Sequence, residues 1–460
     1  MYNAEKQYRC TIIRGKAQTE LDNLLPAYCR IIQAITPISK EDFAKKFNDL
    51  LSKTIGYPVK KTLDNHRTEI AGKLLGLWYE SGDFVQSSHR CIKLLENSDN
   101  PAFFKEIVIK FQFPNVMDKL QTIRDRVDNK INFRPTPFVL ALLKLFEIKK
   151  KPIFKNEIAF YVLNNLCVLQ GKSTVQEVAK AIISDRTKNI FRKVEVPRKS
   201  SSFGMQHITE YLNLLELANL IRVVPNGIEK QIMLKNAEMK AIDHIIEKYL
   251  NKTEFDIYKY DLSNKNDVEK MKTDWDSYYV GELSCGINLS TNPTALIDPV
   301  STDTEDNKFI PSGRDTLTIG DDGEKIVMAY EKDRVSKYNK RLVNKVIHFG
   351  KQKGLGYDVS SIFAIGHTPE HTIYIEVKTA LRVTEPQNDF SDQFDMTRNE
   401  WVAAEQHKDC YFIYRVYLFN KGYKLFKMCS PAKLREENAI YAEPLKYHIE
   451  FTANVCEELK

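Results

Sequence analysis

Asp358 stands ahead of Glu376-Val377-Lys378 in GYDVSSIFAIGHTPEHTIYIEVKT (residues 356–379), and the three charged residues Asp358, Glu376 and Lys378 are of the types best suited to chemistry. Charged side chains seldom sit fully buried without a partner, yet TIYIEVK has the composition of a buried strand. Two carboxylates brought close together repel, and a divalent cation taking oxygen ligands from both relieves the repulsion. A lysine beside them can hold an attacking water or a phosphate. A metal there would lower the pKa of a bound water and offset charge developing on phosphorus. The chemistry within reach is metal-assisted hydrolysis of a phosphate ester. The competing reading has Asp358 capping a turn and Glu376 pairing with Lys378 on an exposed strand, worth ~0.2–1 kcal/mol.

These side chains converge only if local elements bring them together. Strand side chains alternate, so Ile373, Ile375 and Val377 face one way while Tyr374, Glu376 and Lys378 face the other. Upstream, GLGYDVSSIFAI reads as a turn into a strand with Asp358 near its start. A hairpin through GHTPEH would carry Asp358 to the Glu376 face. The surrounding pattern is α/β: a GDDG turn opening a helix GDDGEKIVMAYEKDRV, a second helix rich in Lys and Val, two strands, a helix TRNEWVAAEQH, and strands CYFIYRVYLF and YKLFKM.

An acid followed at a distance by Glu-x-Lys resembles the PD-(D/E)xK nuclease superfamily, although Tyr357 rather than proline precedes Asp358. In its Holliday-junction-resolvase-like members an acid on the preceding helix reaches the same metal. The resemblance thus implies Mg2+ held by Asp358, Glu376 and Glu324, with Lys378 completing the catalytic set. DMTRNEWVAAEQHKDCYFIYRV resembles the block that follows the site in resolvase-like domains of restriction enzymes. That implies Glu400 and Gln406 as supporting residues behind the site.

Composition narrows the class. Over 460 residues, 43% are apolar and 28% charged, ordinary values for a soluble globular protein of two or three domains. No apolar run approaches the ~20 residues of a membrane-spanning helix, and MYNAEKQYRC lacks the apolar segment of a signal peptide. Eight cysteines occur singly, with no CxxC, which argues against a zinc site or a disulfide framework. A cytoplasmic protein with reduced thiols and no membrane partner is expected. The net charge of +7 is unevenly spread: residues 1–250 carry 40 Lys and Arg against 27 Asp and Glu, and residues 251–460 carry 28 against 34. A basic front suits a polyanionic partner.

The front is also helix-rich. TELDNLLPAYCRIIQAI (19–35) repeats apolar residues at helical spacing, and SKEDFAKKFNDLLSKTI follows with Ser39 as N-cap and Asp42 at its third position. TLDNHRTEIAGKLLGLWYE reads as another helix, ending before a short strand FVQ. Farther on come a helix over about 206–217, a break at Ala218-Asn219, strand LIRVV, a turn at PNG and strand KQIML. A helix followed by a two-stranded wing is the winged-helix pattern. The expected fold class is multidomain: a helix-rich recognition region 1–285 with two winged-helix subdomains (about 1–133 and 134–285), a linker 286–318, and an α/β PD-(D/E)xK nuclease domain 319–460. Residues 286–318 earn the linker assignment by their Thr, Ser, Asp, Asn and Pro content.

YRCTIIRGKA, LDNLLPAY, KKTLDNHRTEIAGKL, NPAFFKEI, YVLNNLCVLQGK and MQHITEYLNLLELANLIR are similar to BpuJI-like Type IIS restriction endonucleases, and the resemblance extends over most of the chain. It implies a two-subdomain DNA reader joined to a nuclease domain like archaeal Holliday junction resolvases. It further implies binding of a short asymmetric double-stranded DNA sequence, Mg2+-dependent cleavage outside it, and a cognate DNA methyltransferase in the same system.

Major-groove readout favours Arg or Lys on guanine and Asn or Gln on adenine. Arg9, Arg14 and Lys16 form a basic arm. Lys60, Lys61, Asn65, His66 and Arg67 surround the start of a helix in the first module. Arg198, Lys199, Ser200, Ser201, Ser202, Gln206 and His207 precede and open the corresponding helix of the second. Singly, each reads as a solvated side chain or a phosphate contact; as clusters they face DNA, because phosphate contacts outnumber base contacts. Trp78, Phe84 and the aromatics near 103–113 read as core. His348 and His367 lack metal-ligand spacing and read as core or solvent, and EIKKKPIFK (147–155) as a solvated face.

The expected activity is that of a Type IIS-like restriction endonuclease. One such centre cuts one strand, so a monomer in solution whose nuclease domains dimerise for double-strand cleavage is expected. A DNA-binding regulator with an inactive nuclease-like domain is the alternative, and the intact acids and lysine count against it. A junction or end-processing nuclease would share the centre but needs no separate sequence reader.

Overall fold

The computed structural model describes residues 7–442 apart from 11, 14, 16, 56–58, 195–203, 227–228, 284–288, 292–318, 351–354, 364–369, 387–391, 393, 421 and 441. Arg14, Lys16, Arg198, Lys199, Ser200, Ser201, Ser202 and His367 lie outside the described residues, as do most of GHTPEH and of the expected linker.

In the front region the helix Gln18–Ile35 buries Leu21, Leu24, Leu25, Tyr28, Ile31 and Ile32 along one face, as its spacing requires. Strand β1 (Ile38–Ser39) follows, and Ser39 starts the helix Lys40–Ile55 by accepting the Asp42 N–H at 3.2 Å. A further helix runs from Lys60–Asn65 into a wider π-helical segment His66–Leu74. A hairpin of β2 (Trp78–Ser81) and β3 (Phe84–Ser87) closes a three-stranded antiparallel sheet in the order β1-β3-β2. Trp78 therefore belongs to a strand rather than to the expected helix. Gly76 at φ 59° ends that helix, and a Cβ there would press within 3.2 Å of the Tyr279 ring.

The same order of elements recurs: helix Pro135–Ile148, β4 (Ile153–Phe154), helices from Lys155 to Leu163 and over Val175–Thr187, helix Gly204–Leu217, then β5 (Ile221–Asn226) and β6 (Glu229–Leu234). Its sheet order, β4-β6-β5, repeats that of the first. Asn219, at φ 56°, supplies the expected break. One hydrophobic core runs through both modules, so the expected division near residue 133 is not a division of the core. The helix Asn100–Lys110 is buried on nearly all sides, and its charges are paired: Lys105 lies 2.8 Å from Glu238, and Glu106 lies 3.0 Å from Arg90.

Two compact units divide the chain: Met1–Ile319 with Thr379–Phe394 and Tyr417–Lys424, and Gly320–Lys378 with Asp395–Val416 and Leu425–Lys460. The second unit begins at Gly320, and two later segments, Thr379–Phe394 and Tyr417–Lys424, group with the front. The reason lies in hydrogen bonding. Buried Asp22 accepts the Thr384 N–H at 3.1 Å and the Thr384 hydroxyl at 2.8 Å, and the Leu381 N–H donates to Ser98 O at 3.1 Å. Within the expected linker, Leu289 and Thr291 are buried in the first unit, and the Thr291 N–H donates to Asp99 at 2.8 Å. That part of the segment is packed, not free.

The C-terminal sheet has five strands in the order β11-β10-β9-β8-β7: β7 (Ile347–His348), β8 (Val359–Phe363), β9 (His371–Leu381), β10 (Tyr411–Phe419) and β11 (Gly422–Cys429). A long helix, Ile319–Tyr338, precedes it and absorbs the expected GDDG turn. Asp321 and Asp322 fall in its first turn, where negative charge suits the helix dipole. The expected second helix shrinks to a 3-10 segment, Lys340–Lys345. Fully buried Glu331 seats the long helix. It accepts Arg334 at 3.0 and 2.6 Å and the Tyr414 hydroxyl at 2.8 Å, while Arg334 also donates to Ile362 O at 2.6 Å.

Cys10, Cys29, Cys91, Cys167, Cys410 and Cys429 are free thiols. Among the described residues no helix is long and apolar enough to cross a membrane.

Candidate functional site

Register builds the site. In the antiparallel β8–β9 pair Val359 stands opposite Ile375 and Ser360 opposite Tyr374. The pairing continues one step further, where the Asp358 N–H donates to Ile375 O at 2.9 Å. Asp358 therefore arrives beside Glu376, and its Oδ2 accepts the Val377 N–H at 2.8 Å. Alternation on β9 turns Glu376 and Lys378 to one face, as their spacing predicts. Glu376 is only 4% exposed, and Lys378 Nζ lies 2.7 Å from its Oε1 and 2.6 Å from Glu400 Oε2.

Glu400 comes from the helix Arg398–His407, where it also serves its own N-terminus. Its Oε2 accepts the Thr397 N–H at 3.0 Å while Thr397 accepts the Glu400 N–H at 3.3 Å. The helix face bearing Glu400, Ala403, Ala404 and His407 packs inward. Gly356, at φ 76°, lets the chain before Asp358 approach so closely that a Cβ would strike the Ala403 methyl at 2.8 Å. Gln406 is exposed on the other side of this helix, so it does not join the site as expected.

Burial, first, pushes the Asp358 carboxyl well above the usual carboxylate range; nearby Glu324 and Glu400 add to the shift, while the Val377 N–H and Lys378 oppose it. Glu376 is raised further, again chiefly by burial, then by Asp358 and Glu400 against the pull of Lys378. For Lys378 burial works to discharge the ammonium, but Glu376 and Glu400 outweigh it and hold its pKa above the ordinary value. Tyr411, fully buried, donates to Gly356 O at 2.7 Å, and burial with the charges of Glu376, Glu400 and Asp358 raises its phenol strongly.

Glu324, on the long helix, is close enough for its charge to act on Asp358, but its carboxylate is hydrogen-bonded to His348 Nε2. Gly350 makes room for that contact, since a Cβ there would collide with the Glu324 carboxylate. Among the described residues no three His, Cys, Asp or Glu side chains converge on one point. The oxygen donors of Asp358 and Glu376, crowded and reluctant to ionise together, are nevertheless a set that Mg2+ fits.

The front region carries the expected basic residues unequally. Lys60, Lys61 and Asn65 are exposed on the helix opening at Lys60. Arg67 is not free: it donates to Asp64 at 2.7 Å and Asn48 at 2.9 Å, tying two helices together. His66 is fully buried and hydrogen-bonded to the Tyr28 hydroxyl, which makes it a core residue and not a reader. His207 is buried with Nδ1 3.2 Å from the Ile12 amide nitrogen, so it holds the N-terminal arm. Arg9 is half-buried, and so is Gln206 on the helix Gly204–Leu217. Phe103, Phe104, Phe111 and Phe113 are core as expected, whereas Phe84 is 53% exposed on the β2–β3 hairpin.

A family model described as restriction endonuclease BpuJI, N terminal, matches residues 2–276. The chain belongs to this family. A solved structure described as pyrene- and phenanthrene-modified DNA in complex with the BpuJ1 endonuclease binding domain is 48% identical, with a TM-score of 0.58, and the match covers 61% of this chain and 100% of that one. A second model, described as Protein NO VEIN, C-terminal, matches residues 323–428. Comparison with curated proteins gives no match.

The BpuJI family model therefore stops before the acids and the lysine, which fall within the second match. Sequence reasoning missed His348, Gly350 and Tyr411 around them. His348 lies on β7, opposite Val359, the residue after Asp358, a pairing that local spacing does not announce.

Proposed function

We propose that this chain is a Type IIS-like restriction endonuclease. It binds a short asymmetric double-stranded DNA sequence through the front region and hydrolyses phosphodiester bonds outside that sequence with Mg2+. The observation carrying the reading is the joining of Asp358, Glu376 and Lys378 on one sheet face, in a chain whose front belongs to the BpuJI family. The helix, strand, helix pair and hairpin of each front module support two winged-helix subdomains. The β7–β9 order with its acids and lysine supports a PD-(D/E)xK nuclease domain.

Asp358 and Glu376 would hold the Mg2+, with Glu324 available once it parts from His348. When bound, the ion supplies charge neutralisation at the phosphate and a water of lowered pKa. Lys378 stays charged between Glu376 and Glu400, and its Nζ donates to a non-bridging oxygen of the phosphate. Glu400 positions Lys378 from the helix side. In this reading the exposed Lys60 and Lys61 meet DNA phosphates, and exposed Asn65 contacts a base. A single centre cuts one strand, so double-strand cleavage takes two nuclease domains or two successive events. A cognate methyltransferase would protect the host DNA.

Digestion of a plasmid library with Mg2+, followed by sequencing of the product ends, tests this. Ends at a fixed offset from one asymmetric sequence are expected. Absence of cleavage on every DNA, with sequence-specific binding retained, would sink the nuclease reading and leave a DNA-binding regulator.

A further inference from the structure

Beside the acids and the lysine lies a set of rings with no assigned task. Tyr374 shares the β9 face of Glu376 and Lys378 and stands two residues before Glu376. Its ring stacks on His407, with centroids 3.8 Å apart and planes at 28°. Tyr357, next to Asp358, packs at 4.7 Å from Tyr374 and edge-on to His407, and Phe349 packs edge-on to Tyr357 at 5.7 Å. All four are only half-buried.

Their polar atoms set them apart from the other tyrosines of this region. A buried tyrosine normally finds a partner for its hydroxyl. Tyr411 donates to Gly356 O and Tyr414 to Glu331, as that rule requires. Among the described residues the hydroxyls of Tyr357 and Tyr374 and the ring nitrogens of His407 have no hydrogen-bond partner. These half-open rings with unused polar edges form an aromatic cluster in which Tyr374 and His407 are stacked and Tyr357 is inclined to both. Burial lowers the His407 pKa, which favours the uncharged imidazole.

The geometry points to a nucleobase-binding platform, built from Tyr374 and His407 with Tyr357, for a base of the cleaved strand beside the scissile phosphate. This rests on the nuclease reading above. Glu376 lies two residues, about 7 Å, along the strand from Tyr374, the reach of a single nucleotide, and Lys378 Nζ lies 2.7 Å from Glu376 Oε1, so a phosphate bound there brings a neighbouring base over Tyr374. Every base has a π-face, so stacking tolerates any sequence. That matches cleavage outside a recognition sequence, where the bases at the cut are not read. In a duplex the base faces are already stacked, so the platform acts on a base that has left the stack next to the cut.

The test uses single-turnover cleavage by the full chain, with the cut position fixed by end sequencing. Tyr374→Leu is expected to slow cleavage of an intact duplex roughly ten- to a hundredfold, and Tyr374→Phe, which keeps the ring, to cut at close to the wild-type rate. On a duplex with an abasic site at the nucleotide beside the cut, wild type and Tyr374→Leu should cut equally. Should Tyr374→Leu fail to fold by thermal unfolding, His407→Ala carries the same comparison. A variant as fast as wild type on intact DNA overturns the platform, and so does equal slowing on both duplexes, which marks a merely structural ring. If the wild type cuts no DNA, the nuclease reading itself falls and takes the platform with it.

Discussion

Asp358 Oδ2 accepts the backbone N–H of Val377 at 2.8 Å, so the first acid is bonded to the residue between Glu376 and Lys378. Two strands are thereby locked at the place where their charges meet. The cost is two carboxyls held in a buried, mutually repulsive setting, and most of the testable behaviour follows from that.

Stability should rise when this tension is removed. Both carboxyls have folded pKa values above their unfolded ones, so their contribution is fully favourable below the unfolded carboxylate range. It is lost as pH rises through the raised folded values. At pH 8, Glu376→Gln is expected to abolish cleavage while stabilising the fold by ~1–3 kcal/mol. That gain should vanish near pH 4. Thermal unfolding across pH checks the sign, and a variant less stable at pH 8 refutes it.

Lys378 and its holder should separate in effect. Lys378→Met is expected to slow cleavage by ~10²–10³. Glu400→Gln should slow it only ~10-fold, because Glu376 still holds the ammonium at 2.7 Å. Neither should change DNA affinity in Ca2+, measured by gel shift. Equal losses for the two would show that Glu400 does more than position Lys378.

Gly350→Ala tests the place of Glu324. The added methyl collides with the Glu324 carboxylate and forces it out of its present position. Because the displaced carboxylate parts from His348, protection of the fold by Mn2+, read as a thermal shift, should strengthen by several degrees relative to wild type, with the metal-free melting temperature nearly unchanged. An unchanged Mn2+ shift would remove Glu324 from the ligand set.

Salt dependence distinguishes reading residues from scaffold. Lys60→Ala and Lys61→Ala should each reduce the slope of log K against log salt by ~0.9. His66→Ala should leave the slope alone and cost ~2–4 kcal/mol of stability, because it opens a buried hydrogen bond with Tyr28. Paired salt titrations and urea unfolding of the three variants decide between these roles.

Much of the site was legible in the chain because period-two alternation is local. It put Tyr374, Glu376 and Lys378 on one face before any partner strand was known. Helical spacing likewise marked Gln18–Ile35, and the wing turns marked the β5–β6 hairpin. Local pattern does not carry burial or long-range partners. His66 and Arg67 sit among exposed lysines in the sequence, yet one is inside the core and the other is tied across two helices.

The sequence by itself determined the types and alternation of the charged residues, the basic front and the order of elements, since these depend on neighbours a few positions apart. Only the tertiary structure decided that Asp358 pairs into register beside Glu376, that Glu400 grips Lys378, that Glu324 rests on His348, and that Leu381 and Thr384 group with the front. Each of those links joins residues far apart in the chain, and which distant groups meet is set by how sheet and helices pack, information that no local spacing holds.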